Sequence, residues 1–486
     1  MTPLVRLWPV VAVVVGALVP QTTSLADVDA VLEKLKASGL KAAGEAPKLA
    51  PVAQPVDPRV AFPGAGMDKS GLPDAAADSW GDSSRPAPKP TAPNRTDMPW
   101  FQTLVDAAPV GSVLKVPPGD YAGPVLVDKT LAIEGDGQVV IHGGGTGTVM
   151  VVQAPGVTLR GLRLTGSGGS HDSDDACLNV RGDHGVFDTL RMDDCLFGVD
   201  LKQAHYNTLR NSYIQSKPAD LGLRGDGIRL WSSNNNLIEG NEVVDSRDVV
   251  AWYSNDNIFR SNVGRRSRYS LHFMFANRNL VEDNQYYDNS VGVYVMYAGY
   301  STIRNNIISQ ANGATGMAVG LKEASDVVIE GNEIIYCAVG IGSDISPFEP
   351  DSTVTIRGNR IAYNGIGIQF TSDVGGTEVT GNIFEGNLSQ IAVGGAGAAT
   401  KSTWHGNYWD DYQGFDRNTD RVGDTPYELY AFTDQLWMEQ PYARFFKNAP
   451  MLEALDFLER LAPFTSPVLL LKDDAPLFHN PKEARS

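Results

Sequence analysis

Ile238-Glu239-Gly240-Asn241, Ile303-Arg304-Asn305-Asn306, Ile329-Glu330-Gly331-Asn332, Ile356-Arg357-Gly358-Asn359, Val379-Thr380-Gly381-Asn382 and Trp404-His405-Gly406-Asn407 are copies of one short pattern. An apolar residue is followed by a variable one, then Gly or Asn, then Asn. Weaker copies place the last position at 136, 162, 190, 212, 241, 262, 284, 306, 332, 359, 382 and 407, a spacing of 21 to 29 residues. From Asn241 to Asn407 it is always Asn, whereas the first four copies carry Asp136, Leu162, Leu190 and Ser212. Repeats of this length signal a solenoid, and the fixed leucines of a leucine-rich horseshoe are absent. Gly and Asn tolerate the positive φ of a tight turn. Asn side chains stacked in register can hydrogen-bond along the column. The reading is an all-β chain, a right-handed parallel β-helix of roughly twelve coils.

The repeat fixes which side chains face outward. In the strand ahead of each turn, Ile228/Leu230, Val249/Ala251, Leu271/Phe273, Val293/Val295 and Val319/Leu321 alternate and point inward. One outward column then reads Arg229, Val250, His272, Tyr294, Gly320, and its neighbour reads Trp231, Trp252, Met274, Met296, Lys322. Aromatic rings and thioethers side by side on a surface mark a binding site. Thioethers and an imidazole suit Cu(I). His272, Met274 and Met296 are therefore the candidate copper ligands, on a face expected to be open to solvent and to bind the ion weakly. The plainer alternative is that the methionines pack under a covering loop and His272 caps it.

Two further clusters carry possible ligands. His171, Asp172, Asp174 and Asp175 lie in a Gly/Ser-flanked run and read as a solvated loop. Asp416, Asn418, Asp420 and Asp424 space oxygen atoms as a Ca²⁺ loop does. However, Arg421 and Tyr427 stand where such a loop needs Gly and Glu, so an Asx-turn loop is favoured over structural Ca²⁺.

Outward from the repeat, Trp100, Phe101, Leu104 and Val105 form a short helix that caps the first coil, so residues 98–410 make the β-helix. Residues 27–97 hold a short helix (Val28, Val31, Leu32, Leu35) and a Pro/Ala-rich linker, with prolines recurring from Pro47 to Pro93. Residues 1–26 read as an export signal: Arg6, an apolar run from Leu7 to Val19, and Ser24-Leu25-Ala26 ahead of a cleavage point. Residues 411–486 read as a C-terminal cap, with an amphipathic helix over Met451 to Leu461. An apolar tail from Pro463 to Leu471 is left over for docking to a partner.

Composition narrows the function. The net charge of −17 repels phosphate backbones and anionic lipids and favours cations. Nucleic acid is thus no expected partner. Three cysteines without CxxC spacing, Cys177, Cys195 and Cys337, argue against a disulfide framework or zinc finger and read as small buried apolar residues.

The run Arg268-Tyr269-Ser270-Leu271-His272-Phe273-Met274-Phe275-Ala276-Asn277 resembles the NosD family of periplasmic β-helix proteins. So do Gly406 to Asn418 running into Gly423-Asp424, and Asn448-Ala449-Pro450 through Leu461 with Ser466-Pro467. The resemblance extends from about Trp100 to Leu477, while residues 27–97 are longer than it leads one to expect. It implies a periplasmic protein held at the inner membrane by an ABC permease and its ATPase. Such a protein receives copper from a lipoprotein chaperone and helps assemble the copper–sulfide cluster of apo nitrous oxide reductase. It also implies His and Met at the positions of His272, Met274 and Met296. The competing class is a secreted β-helix polysaccharide lyase, epimerase or hydrolase, which needs paired carboxylates or a base in a groove. The aromatic and thioether columns rank that second and favour a non-enzymatic assembly factor.

Overall fold

The computed structural model describes residues 87, 89–92, 97–313, 315–372, 374–394, 398–431 and 468–482. The export signal, nearly all of the linker and the Met451–Leu461 helix lie outside the described residues.

Each coil contributes three short strands. The coil after Asn241, for example, supplies Glu242–Val244, Asp248–Trp252 and Ile258–Arg260. The strands pair in parallel with those of the coils above and below, giving one bent sheet of 24 strands and a second of 12. Inward columns fill the interior with apolar side chains, such as Ile238, Phe259, Val281, Ile303, Ile329 and Ile356, all nearly or fully buried. The chain is thus the all-β parallel β-helix that the repeat predicts.

The Asn ladder exists, and it is directional. Asn241 donates from its backbone N–H and its Nδ2 to Oδ1 of Asn262, at 3.0 Å each. The same paired donation continues from Asn262 to Asn284 and Asn306, and on through Asn332, Asn359, Asn382 and Asn407. Ahead of each amide the chain takes positive φ, as at Gly240 (64°) and Asn305 (54°). That region suits Gly and Asn because neither suffers a β-branched clash there. A second ladder runs five residues earlier, from Asn207 through Asn236, Asn257 and Asn279 to Ser301.

Both ends are closed, since an unpaired parallel edge invites another chain. At the start, helix α1 (Gln102–Ala107) lies across the first coil. Its Gln102 side chain accepts from Leu126 N–H at 2.7 Å and donates to Leu126 C=O at 3.0 Å, as a neighbouring strand would. At the other end, Val468–Asp473 pairs antiparallel with Tyr427–Ala431. Leu470 and Leu471 are buried there. Asp473 ends the ladder: its Oδ2 accepts from Asn407 N–H (3.0 Å), Asn407 Nδ2 (2.9 Å) and Trp409 Nε1 (3.2 Å). The apolar run through Leu471, read from sequence as left over for docking, is folded into the cap from Val468 onward. Its apolar side chains find a partner strand about forty residues earlier, which strand pattern alone does not reveal.

The cysteine reading also needs correcting. Cys177 and Cys195 form a disulfide between neighbouring coils, while Cys337 is buried and free. An odd count forbids pairing all three cysteines, not two of them.

Candidate functional site

The 12-stranded sheet carries the outward columns in the predicted register. Arg229, Val250, His272, Tyr294 and Gly320 stack in one column, and Trp231, Trp252, Met274, Met296 and Lys322 in the next. A local irregularity sets His272. Asp248 pairs with Tyr269 and Val250 with His272, so Tyr269–Met274 carries one extra residue there. A bulge of this kind re-aims side chains and recurs beside functional sites.

His272 is enclosed by rings. Tyr269 lies 4.9 Å away and Tyr294 5.9 Å away, and these two tyrosines stack on each other at 5.5 Å. The imidazole is 8% exposed, and its Nε2 is buried without a hydrogen-bond partner. Burial, reinforced by the Arg268 guanidinium, pushes its pKa down to about 4. The ring is therefore neutral at pH 7, with one nitrogen free to offer a lone pair.

Met274 and Met296 are register partners on successive coils, roughly 5 Å apart along the axis. Met274 is only 7% exposed and Met296 is half-buried. The face is thus more enclosed than the open surface expected from spacing. Trp252 stands beside Met274 on the preceding coil, and its Nε1 is likewise buried and unpartnered. Tyr253, Phe275 and Tyr297 stack along the adjoining turns at 5.2 and 5.1 Å, and Lys322 sits 6.0 Å over the Tyr297 ring.

Sequence reasoning missed Met317. A Cβ on Gly320 would lie 2.2 Å from the Tyr294 ring and 2.6 Å from Met317 Sδ. Both side chains therefore lean into the space that glycine leaves, which adds a third thioether to this face. The available signal was a glycine on an outward strand position next to Tyr294.

Toward the N-terminal coils the same face becomes ionic. Asp200 is fully buried and accepts from Arg229 Nε and Asn179 Nδ2 at 2.8 Å each. Burial alone would raise the Asp200 pKa, but Arg229 and Lys202 hold it below the usual carboxylate value. Asp174 pairs with both Lys202 (2.5 Å) and Arg229 (2.8 Å). The loop that carries it is tied down further by His171 to Leu223 C=O at 3.2 Å and by Asp175, which accepts from Ser170 N–H at 3.0 Å. Asp226 pairs with Arg247 at 3.0 Å and Asp248 with Arg268. The acidic groups at this end of the face are thus paired with Lys or Arg.

The Asp416–Asp424 segment is a run of Asx turns, the reading that its sequence favours over a calcium loop. Asp416 accepts from Asp420 N–H (3.2 Å) and Arg421 N–H (2.9 Å), Asn418 from Asp420 N–H (3.1 Å), Asp420 from Val422 N–H (2.8 Å), and Asp424 from Arg417 N–H (2.8 Å). Oxygens turned onto their own backbone do not converge on an ion. Among the described residues, no group of three or more His, Cys, Asp or Glu is arranged to hold a metal. A site built on thioethers and one imidazole falls outside that description.

Residues 210–414 match the family model described as "Periplasmic copper-binding protein (NosD)". A probable ABC transporter binding protein NosD of Pseudomonas aeruginosa is 28% identical, over 75% of this chain and 87% of its own length. The same-named protein of Stutzerimonas stutzeri is 27% identical, over 76% and 87%. Among solved structures, the A-module of the Azotobacter vinelandii mannuronan C-5 epimerase AlgE6 superposes with a TM-score of 0.51 at 19% identity. It covers 62% of this chain and 93% of the module. At that identity the likeness shows the β-helix fold alone. Among the described residues, no helix is long and apolar enough to cross a membrane.

Proposed function

The chain is NosD-like, and we propose that it is a periplasmic, non-enzymatic copper handler. It works beside an ABC transporter and helps assemble the copper–sulfide cluster of nitrous oxide reductase. His272, Met274 and Met296 hold Cu(I) as cargo on its way to that client. The observation that carries the reading is the buried, unpartnered Nε2 of His272 beside two thioethers stacked in register. A neutral imidazole and thioethers are soft donors that select Cu(I) over Ca²⁺ or Mg²⁺. The Cys177–Cys195 disulfide supports an oxidising compartment independently of the leader. Against a polysaccharide-active enzyme stand Asp174, Asp200 and Asp248 of this face, each held by a Lys or Arg and so not poised as a base.

The test is the double variant Met274→Leu with Met296→Leu, which keeps volume and apolarity. Nitrous oxide reductase purified from cells carrying it is expected to lack its copper–sulfide cluster. Wild-type cluster content would reject the thioethers as copper ligands. Failure of the periplasmic chain to copurify with a membrane permease would reject the transporter association.

A further inference from the structure

Two buried nitrogens on adjacent coils of the face have no hydrogen-bond partner, His272 Nε2 and Trp252 Nε1. Leaving such an atom unsatisfied is costly in a folded interior, so each calls for an explanation. The two are of opposite kinds. With its proton on Nδ1 the imidazole offers a lone pair at Nε2, whereas the indole nitrogen carries a hydrogen and only donates. A Cu(I) ion satisfies the first and leaves the second unmet.

Charge points the same way. One imidazole and two thioethers are all neutral donors, so Cu(I) bound by them keeps its full positive charge. His272 and Met274 are nearly closed to solvent, at 8% and 7% exposure. An uncompensated charge is unfavourable in such surroundings. The register neighbours do not offset it. Trp252 precedes Met274, and Lys322, a second cation, follows Met296. Of the carboxylates sharing this face, Asp248 is paired with Arg268, and Asp344, which accepts from Thr371 at 2.7 Å, is the register partner of Lys322 and offsets that cation.

We propose, resting on the copper reading above, that this face takes Cu(I) together with a soft monovalent anion, a thiolate or a halide, and that the anion accepts the Trp252 N–H. The cargo is then a neutral ion-and-ligand complex. The metal stays Cu(I) throughout, and only a ligand is exchanged. Trp252 becomes the residue that distinguishes a ligated ion from a bare one.

The test is X-ray absorption at the copper edge on the full chain, loaded with Cu(I) without oxygen, in bromide buffer and separately with ethanethiol. Wild-type protein is expected to show a copper–bromine path in the first and an additional copper–sulfur path in the second. With both present at equal concentration, the path that dominates identifies the preferred anion. Trp252→Phe keeps a ring but removes the N–H. It is expected to retain copper with its nitrogen and thioether paths and to lose the anion path. Wild-type protein that holds copper with neither anion overturns this proposal and leaves the copper reading standing. So does a Trp252→Phe protein that keeps the anion. Wild-type protein that holds no copper overturns both.

Discussion

The two sheets of this β-helix follow opposite rules. In the 24-stranded sheet, two columns repeat or alternate with strict logic. The Asn column is uniform from Asn241 to Asn407. A neighbouring outward column alternates in sign: Arg160, Asp188, Arg210, Glu239, Arg260, Glu282, Arg304, Glu330, Arg357. Stacking in register forces both outcomes, because an amide satisfies an identical amide whereas like charges repel. In the 12-stranded sheet the outward columns change chemistry at every coil, and the uncharged rings of His272 and Trp252 each keep a buried nitrogen without a hydrogen-bond partner. Regularity in such a fold serves the stack; irregularity that leaves atoms unsatisfied serves something outside it.

The largest expected effect lies on the regular side. Asn332→Leu removes the acceptor for Asn306 N–H and Nδ2 and the donor to Ile303 C=O. Several buried groups lose partners at once, so unfolding should be easier by about 3 kcal/mol or more. A denaturant midpoint shifted by less than about 1 kcal/mol would mean the column is not structural.

His272 gives the next effect and probes the irregular side. Its pKa is near 4 in the folded chain against 6.5 unfolded, so between these values the unfolded chain binds more protons. The contribution is therefore complete above pH 6.5 and is lost as pH falls toward 4, by up to about 3 kcal/mol. His272→Gln should flatten the pH dependence of stability in that window. An unchanged slope would place the proton uptake on other groups.

Glu282→Arg tests the alternating column with a smaller change. Glu282 joins Arg260 (2.6 Å) to Arg304 (2.6 Å), and burial is outweighed by both guanidiniums in lowering its pKa. The variant stacks three guanidiniums and should lose about 1–2 kcal/mol, more than Glu282→Gln, with the gap between them narrowing in high salt. Equal losses would show that the sign pattern does not matter.

The smallest stability effect belongs to Met274→Leu with Met296→Leu. Folding should change by less than about 1.5 kcal/mol, while Cu(I) binding measured by chelator competition is lost. Retained binding would break the comparison, because the irregular columns would then be ordinary packing.

Much of the regular side was legible in the sequence, since one Asn per coil at a fixed place is a pattern in the chain itself. So was the outward register, which follows from period-two alternation alone. The second ladder, Asn207 to Asn279, was equally visible at a constant offset of five residues from the first. What escaped depends on contacts between distant segments. Asp473 reaches Asn407 across 66 residues. The Asp416–Asp424 spacing reads the same whether its oxygens meet an ion or their own N–H groups. Met317 meets Tyr294 only because Gly320 leaves room.

The carboxylate at the end of the ladder has a consequence for assembly. Along the column every backbone N–H and one hydrogen of every Nδ2 are donated toward the C-terminal coil, so the stack has a polarity, and without Asp473 its far end would leave Asn407 N–H and one Nδ2 hydrogen unmet. Such an end, left open, is a template on which another chain can pair. Asp473 occupies that end with negative charge, at 0% exposure, and offers an arriving coil nothing to copy. A chain cut before residue 468 would keep its coils and lose its terminator. Its failure would take the form of association through that opened end rather than unfolding.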